Sequence, residues 1–199
     1  TAMNQIKDII QNAQELNLQG ANGSMSDSDR QAVAKAIENL QGQLVQVGNA
    51  NLAGRYVLGG YNTTTPPFTV DENGKLLYNN MDLDDTTLDF SGPSHEVIIY
   101  DLGSPFTVSF PGSVIFGYGK DSNGLPENLY SILGDIKDIL NSGSGDIQPY
   151  IGKLQEKLED ILAHMVDVGE RTKHLDFIDN RLEDEYLNYR TVQADVEGL

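Results

Sequence analysis

The chain has 199 residues, enough to bury a core, and sets 13 Lys and Arg against 30 Asp and Glu for a formal charge of -17, a balance that repels nucleic acid and anionic membranes. It has no cysteine, which excludes disulfides, thiolate nucleophiles and thiolate metal sites. No apolar run approaches the roughly 20 residues of a membrane span, and the first residues lack the basic-then-apolar order of a secretory signal. Because the chain starts at Thr1 and not at an initiator methionine, that end carries no information on targeting.

Met3, Ile6, Ile10 and Ala13 recur at spacings of three and four, which predicts a helix over residues 2–19 with one apolar stripe. Gly20, Asn22 and Gly23 break it. Ser26 then offers a side-chain acceptor, with Asp29 three residues on and Asp27 in the first turn, where the helix dipole favours negative charge. A second helix is expected from about residue 27. Its stripe of Val33, Ile37, Leu40, Leu44, Val47 and Asn51 keeps heptad spacing.

That helix is expected to stop within "NLAGRYVLGGYNTTTPPF", residues 51–68. Gly54 suits the left-handed conformation of a helix end, Arg55 brings positive charge to the negative end of the dipole, and Tyr56, Val57 and Leu58 favour a strand. Gly59 and Gly60 let the backbone turn. Pro66 and Pro67 then impose an extended path.

From Phe68 to Lys120 the pattern is that of strands. Asn73 and Gly74 mark a hairpin in "VDENGKLLY", and "HEVIIY" and "FTVSF" are short β-rich runs separated by Pro93, Pro105 and Pro111. Helical spacing returns with Leu129, Leu133, Ile136 and Leu140, and "NSGSGD" ends it. The last signal is the longest. Ile147, Ile151, Leu154, Leu158, Ile161, Met165, Val168, Thr172 and Leu175 hold four-three spacing, Asp179 interrupts it beside Ile178, and Leu182, Tyr186 and Tyr189 resume it. One helix over residues 148–196 would be about 75 Å long at 1.5 Å per residue, and needs partners along its length. Leu154, Leu158, Ile161 and Met165 are expected to face Val33, Ile37, Leu40 and Leu44 across a helical core.

No catalytic arrangement emerges. His95, His164 and His174 lack the i, i+4 spacing of paired zinc ligands and read as surface residues. Asp82, Asp84, Asp85 and Asp89 crowd together, but without the glycine and terminal glutamate of a calcium loop. There is no nucleophile elbow and no phosphate loop, and carboxylate pairs are too abundant here to single one out. The expectation is a protein with no catalytic site and no cofactor.

The stretch "GRYVLGGYNTTTPPF" resembles the helix-to-hairpin junction of the flagellin superfamily, nearest to its hook-filament junction members, and "GERTKHLDFIDNRLEDEYLNY", residues 169–189, resembles the family's returning helix. The likeness covers about residues 1–68 and 145–199. The motif residues are Asn51, Gly54, Arg55, Gly59, Gly60, Pro66 and Pro67. The resemblance implies an extracellular structural protein of the flagellum, exported unfolded, that sits between hook and filament. Its implied partners are hook-associated protein 1, flagellin, copies of itself and an export chaperone. In flagellins that activate the innate immune receptor, the second helix carries an arginine-bearing motif; "IENLQGQLVQVGN" has none, which counts against recognition by that receptor.

The expected fold is therefore α+β: an elongated, flagellin-like antiparallel helical bundle or coiled coil, residues 1–61 and 122–199, with a small β-rich outer domain inserted at 62–121. Two other readings stay open. One is an ordinary filament flagellin. The other is a binding module on a helical stalk, which an exposed array of Tyr61, Tyr78, Tyr100 and Tyr118 would favour. A last expectation concerns length: if the final helix runs antiparallel to the first, Leu182, Tyr189, Val192 and Val196 project past Thr1, so residues preceding Thr1 in a longer protein would cover them.

Overall fold

A computed structural model describes residues 1–90, 97–101 and 104–198. Four helices form the body. Helix α1 (Ala2–Gly20) begins where the Thr1 hydroxyl accepts the Asn4 N–H. Helix α2 (Asp27–Gly48) opens on a capping box in which Ser26 and Asp29 exchange side-chain-to-backbone hydrogen bonds, so two donors left over at a helix start are satisfied.

Helix α2 ends at Gly48, several residues before the expected stop, and Gly54 does not close it. Instead β1 (Asn51–Leu52) and β2 (Arg55–Tyr56) pair as a tight hairpin around Ala53 and Gly54. Both turn residues have positive φ, 51° and 81°, as a two-residue turn matched to strand twist requires. The Asn51 side chain accepts the Gly54 N–H at 2.9 Å. Arg55 accordingly lies exposed in a strand, away from any helix end.

Strands β3 (Phe68–Val70), β4 (Leu76–Tyr78) and β5 (Met81–Asp82) form an antiparallel meander, with Asn73 and Gly74 in the first turn as the sequence predicts. Strands β6 (Ile98–Asp101) and β7 (Ser104–Thr107) form a separate hairpin. Pro105 sits inside β7, opposite Tyr100, and does not separate strands. This is allowed because a two-stranded ribbon is all edge. Pro93 and His95 lie outside the described residues. A short helix, α3 (Gly112–Phe116), interrupts what reads in sequence as a purely stranded segment. Its Ser-Val-Ile-Phe core has strand-like composition, but Phe116 and Ile115 are buried against the body, and tertiary packing overrides local preference.

Helix α4 (Leu129–Ser142) buries Leu129, Ile132, Leu133, Ile136 and Leu140. It ends at Gly143 in the left-handed conformation, φ 64°. Helix α5 (Gln148–Glu197) is continuous over 50 residues. The helices and the β segment share one apolar cluster: Ile6, Ile10, Ile37, Leu44, Leu154 and Ile161 belong to it, as do Phe68, Tyr78, Phe90 and Phe116.

The stripes meet differently from expectation. Helix α2 packs on α1 and α4, while α5 packs chiefly on α1, so the α1 face of Met3, Ile6, Ile9, Ile10 and Ala13 stands where α5 was expected to face α2. Heptad spacing says that a face is buried but not against which helix. Of the eight predicted packing residues, Val33, Ile37, Leu40, Leu44, Leu154 and Ile161 are buried, and Leu158 and Met165 pack half-buried against the cluster.

Candidate assembly interface

The junction between α2 and the β segment is fixed by a side chain that sequence reasoning passed over. Asn49, just past α2, donates its amide to the Phe68 carbonyl at 2.8 Å and accepts the Phe68 N–H at 2.9 Å. Its carboxamide thus mimics one strand pair. Phe68 is held over Gly48 and stacks on Phe116 with ring centroids 4.2 Å apart and planes 22° from parallel, a close stacked contact between aromatic faces. An Asn directly after a helical stripe was the available signal.

Around this pair the predicted motif residues take distinct places. Gly59 bridges to Pro111, and a Cβ on it would meet the Asn62 carbonyl oxygen at 2.1 Å, so only glycine fits. Gly60 has φ 65°. Pro67 is buried and its carbonyl accepts the Asn79 N–H at 2.8 Å, while Pro66 is exposed. The Tyr78 hydroxyl donates to the Leu58 carbonyl at 3.2 Å, and burial pushes its pKa up to about 12.

A second anchor holds the loop before α4. Lys153, with 9% of its side chain exposed, lies 3.1 Å from Asp121 and also pairs with Glu127; Lys157 lies 3.2 Å from Glu127 and 3.1 Å from Asp160. Two mostly buried ammonium groups thereby keep several acidic partners, as buried charge requires. The carboxylates considered for calcium are engaged elsewhere. Asp82 pairs with Lys75 at 2.6 Å, Asp85 accepts from Thr87, and Asp84 accepts from Asn128 and Ser131 at the start of α4. No group of three or more His, Asp or Glu side chains suited to a metal ion occurs among the described residues.

A third anchor ties the β6–β7 hairpin to α5. The Arg171 guanidinium donates to the Thr107 and Ser109 carbonyls at 3.1 Å, pairs with Asp167 at 2.9 Å and lies 4.0 Å above the Phe110 ring. His174 packs on Phe106 at 4.5 Å, and His164 approaches Phe110 edge-on. Both histidines are half-buried, so they are packing residues and not the free surface groups expected.

Helix α5 runs antiparallel to α1: Gln14 meets Gln155 at 3.1 Å, and Thr1, Ala2 and Met3 line an apolar cleft of about 500 Å³ together with Met165, Val168 and Gly169. Past His174 the helix carries an exposed apolar face, with Leu182 53%, Tyr189 74% and Val196 67% exposed. These are the residues expected to project past Thr1. Among the described side chains of the binding-module array, Tyr78 is buried, Tyr118 is half-buried against Phe90 and only Tyr61 stands exposed, so these three form no exposed aromatic face.

With this geometry in hand, comparison with known proteins is specific. The model of the bacterial flagellin N-terminal helical region matches residues 1–63. Residues 1–63 are thus similar to the bacterial flagellin N-terminal helical region. The matched stretch spans α1, α2 and the β1–β2 hairpin. Flagellar hook-associated protein 3 of Escherichia coli is 40% identical over 78 residues, 39% of this chain and 24% of that protein. The aligned stretch is thus about a quarter of that relative's length. A flagellar hook-associated protein from Vibrio parahaemolyticus superposes with a TM-score of 0.74 at 18% identity, over 98% of this chain and 82% of that one. Flagellar hook-associated protein 3 from Legionella pneumophila gives 0.68 at 14% identity, over 98% and 91%. At those identities the likeness establishes the fold, an α+β flagellin-like bundle with a small β portion.

Proposed function

We propose that this chain is a structural subunit of the bacterial flagellum, placed outside the cell at the junction between hook and filament, where it provides the platform for flagellin assembly. The observation that supports this best is the 40% identity to a hook-associated protein 3, joined to a fold that follows hook-associated proteins over nearly the whole chain. A match to the flagellin helical region alone would suit a filament flagellin equally well. In this reading the chain works without catalysis or cofactor, and its partners are hook-associated protein 1, flagellin and further copies of itself, with an export chaperone before secretion. The described residues contain no helix long and apolar enough to cross a membrane.

The division of labour belongs to the same proposal. Residues 1–61 and 122–199 form the assembly body, whose packing rests on Val33, Ile37, Leu40, Leu44, Leu154, Leu158, Ile161 and Met165. Residues 62–121 form an outer β-rich domain seated through the Asn49–Phe68 junction. Replacing 62–121 by a short Gly/Ser linker should leave the helices folded but easier to melt, because Phe68, Tyr78 and Phe116 share their cluster. Collapse of the helical circular dichroism signal would argue for a single domain. The function itself is tested in a strain lacking the gene. Secretion of unassembled flagellin, with hooks intact and motility restored by this chain's full-length gene, is expected; normal filaments in the deletion strain would refute the junction role.

A further inference from the structure

Three Asn-Gly pairs occur in the chain, at Asn22–Gly23, Asn73–Gly74 and Asn123–Gly124. Such pairs are the most prone to spontaneous deamidation, because a glycine nitrogen has no neighbouring side chain to block its attack on the asparagine carboxamide. The sequence gives them equal standing. Their surroundings in the fold differ sharply.

The second and third pairs sit in the same turn built twice, D-x-N-G-x at residues 71–75 and 121–125. In each, the glycine N–H is bound: Gly74 donates to the Asp71 carbonyl and Gly124 to the Asp121 carbonyl, both at 3.0 Å. The Asp71 carboxylate also accepts the N–H groups of Asn73 and Lys75 at 2.9 and 2.8 Å, and Asp121 does the same for Asn123 and Leu125 at 2.8 and 2.9 Å. The nitrogen that must lose its proton and attack is therefore engaged, and the turn around it is held in place.

The first pair lies between α1 and α2 without that protection. Asn22 and Gly23 are exposed, a Cβ added at Gly23 would find open space, and the Gly23 N–H has no acceptor among the described residues. Moreover the Asn22 Oδ1 accepts both the Ser24 hydroxyl at 2.9 Å and the Ser24 N–H at 3.3 Å. Two donors on that oxygen are where negative charge develops when its carbon is attacked, the arrangement that lowers the barrier to acyl transfer.

We propose that Asn22 is a site of spontaneous covalent modification, converted through a cyclic imide with Gly23 to aspartate and isoaspartate ahead of Asn73 and Asn123. The Gly23 nitrogen gives up its proton and bonds to the Asn22 side-chain carbon; the bond from that carbon to Nδ2 breaks, and the amide leaves as ammonia. Water then opens the imide at either carbonyl. One opening leaves aspartate and an unchanged backbone. The other leaves isoaspartate, with an extra methylene in the turn joining α1 to α2, and each product adds one negative charge.

The test is peptide mapping by mass spectrometry of the folded chain, held at mildly alkaline pH and sampled over days, with the same chain in urea as reference. Deamidation at Asn22 should run several-fold faster than at Asn73 and Asn123 when folded, and the three rates should converge in urea. Ser24→Ala should slow Asn22 severalfold without touching the other two, its fold checked by circular dichroism; Asp71→Ala should speed Asn73. Equal rates at the three sites in the folded chain, the same ranking in urea, or an Asn22 rate indifferent to Ser24→Ala would each overturn the proposal.

Discussion

Gly42, exposed in the interior of α2, and Gly48, buried at its end, differ sharply in what a methyl group would meet. At Gly48 a Cβ would come within 2.6 Å of Phe68 and 2.9 Å of Phe116, while at Gly42 nothing lies within 4 Å. Gly48→Ala should cost about 1 to 3 kcal/mol by overpacking, and Gly42→Ala should gain about 0.5 to 1 kcal/mol from helix propensity; urea unfolding of both variants separates them. Leu154 and Leu158 make a second contrast. The heptad spacing ranks them alike, but Leu154 is fully buried and Leu158 only partly, so Leu154→Ala should cost about 2 to 5 kcal/mol and Leu158→Ala clearly less. Two aspartates carry opposite pH signatures. Burial pushes Asp121 up, but Lys153 and the N–H groups of Leu125 and Asn123 together outweigh it and hold the carboxyl below its usual value. Its contribution is therefore present above the unfolded value of about 3.9 and lost as pH falls through the depressed one. Asp135 is raised, first by burial and then by the charges of Asp84 and Asp138, against the hydrogen bond from Tyr150 at 2.9 Å. The folded state binds that proton more tightly, so its contribution is present in acid and lost as pH rises through the raised value. Asp135→Asn, which keeps an acceptor for Tyr150, should compare better with the parent chain at about pH 7 than at about pH 4; an unchanged difference between the two would remove the burial argument.

At the scale of elements, the β6–β7 hairpin is attached to α5 from one side by Arg171, His174 and the rings of Phe106 and Phe110. Arg171→Met keeps the length of the side chain but gives up its hydrogen bonds to Thr107 and Ser109. Hydrogen exchange should then accelerate over residues 104–110, while the melting of the helices stays near that of the parent chain. Slower exchange there, or a large loss of global stability, would mean that the hairpin belongs to the main core. The helices themselves were legible because their signals are long: repeated three-four spacing placed α1, α4 and α5, and Ser26 with Asp29 placed the start of α2. The end of α2 was not. Its stripe runs on through Asn51, but the helix closes at Gly48, where Phe68 packs too near for a Cβ, and a Phe 20 residues away leaves no mark on local pattern. The α3 helix and the Asn49 clasp were hidden for the same reason, since both are decided by contacts across the β segment. Which stripe faces which also lies beyond periodicity: α1 and α4 both pack on α2, and α5 packs chiefly on α1.

For the whole molecule, the antiparallel α1–α5 pairing brings Thr1 level with Met165 and Gly169, and α5 continues to Glu197, roughly 40 Å further at 1.5 Å per residue. Over much of that distance its apolar face is in water, and uncovered apolar surface of this size marks a contact site. The net charge of -17 keeps copies apart in solution, so contact along this face has to be specific to form at all. If α5 is the helix through which the subunit joins its neighbours, then Tyr186, Tyr189 and Val196, all exposed, matter for assembly and not for the fold of this chain. Changing all three to Ser should shift the stability of the 199-residue chain by no more than about 0.5 kcal/mol per site, the usual range for surface positions. The same changes in the full-length gene should fail to restore motility to a strain lacking it, although the variant is still secreted. Added salt should strengthen self-association of the parent protein, since screening weakens the repulsion between acidic copies and leaves apolar contact intact. Sedimentation of the full-length protein in low and high salt would read this out. Full complementation by the triple variant, or self-association of the full-length protein that weakens as salt is added, would place the assembly contact elsewhere than on the exposed face of α5.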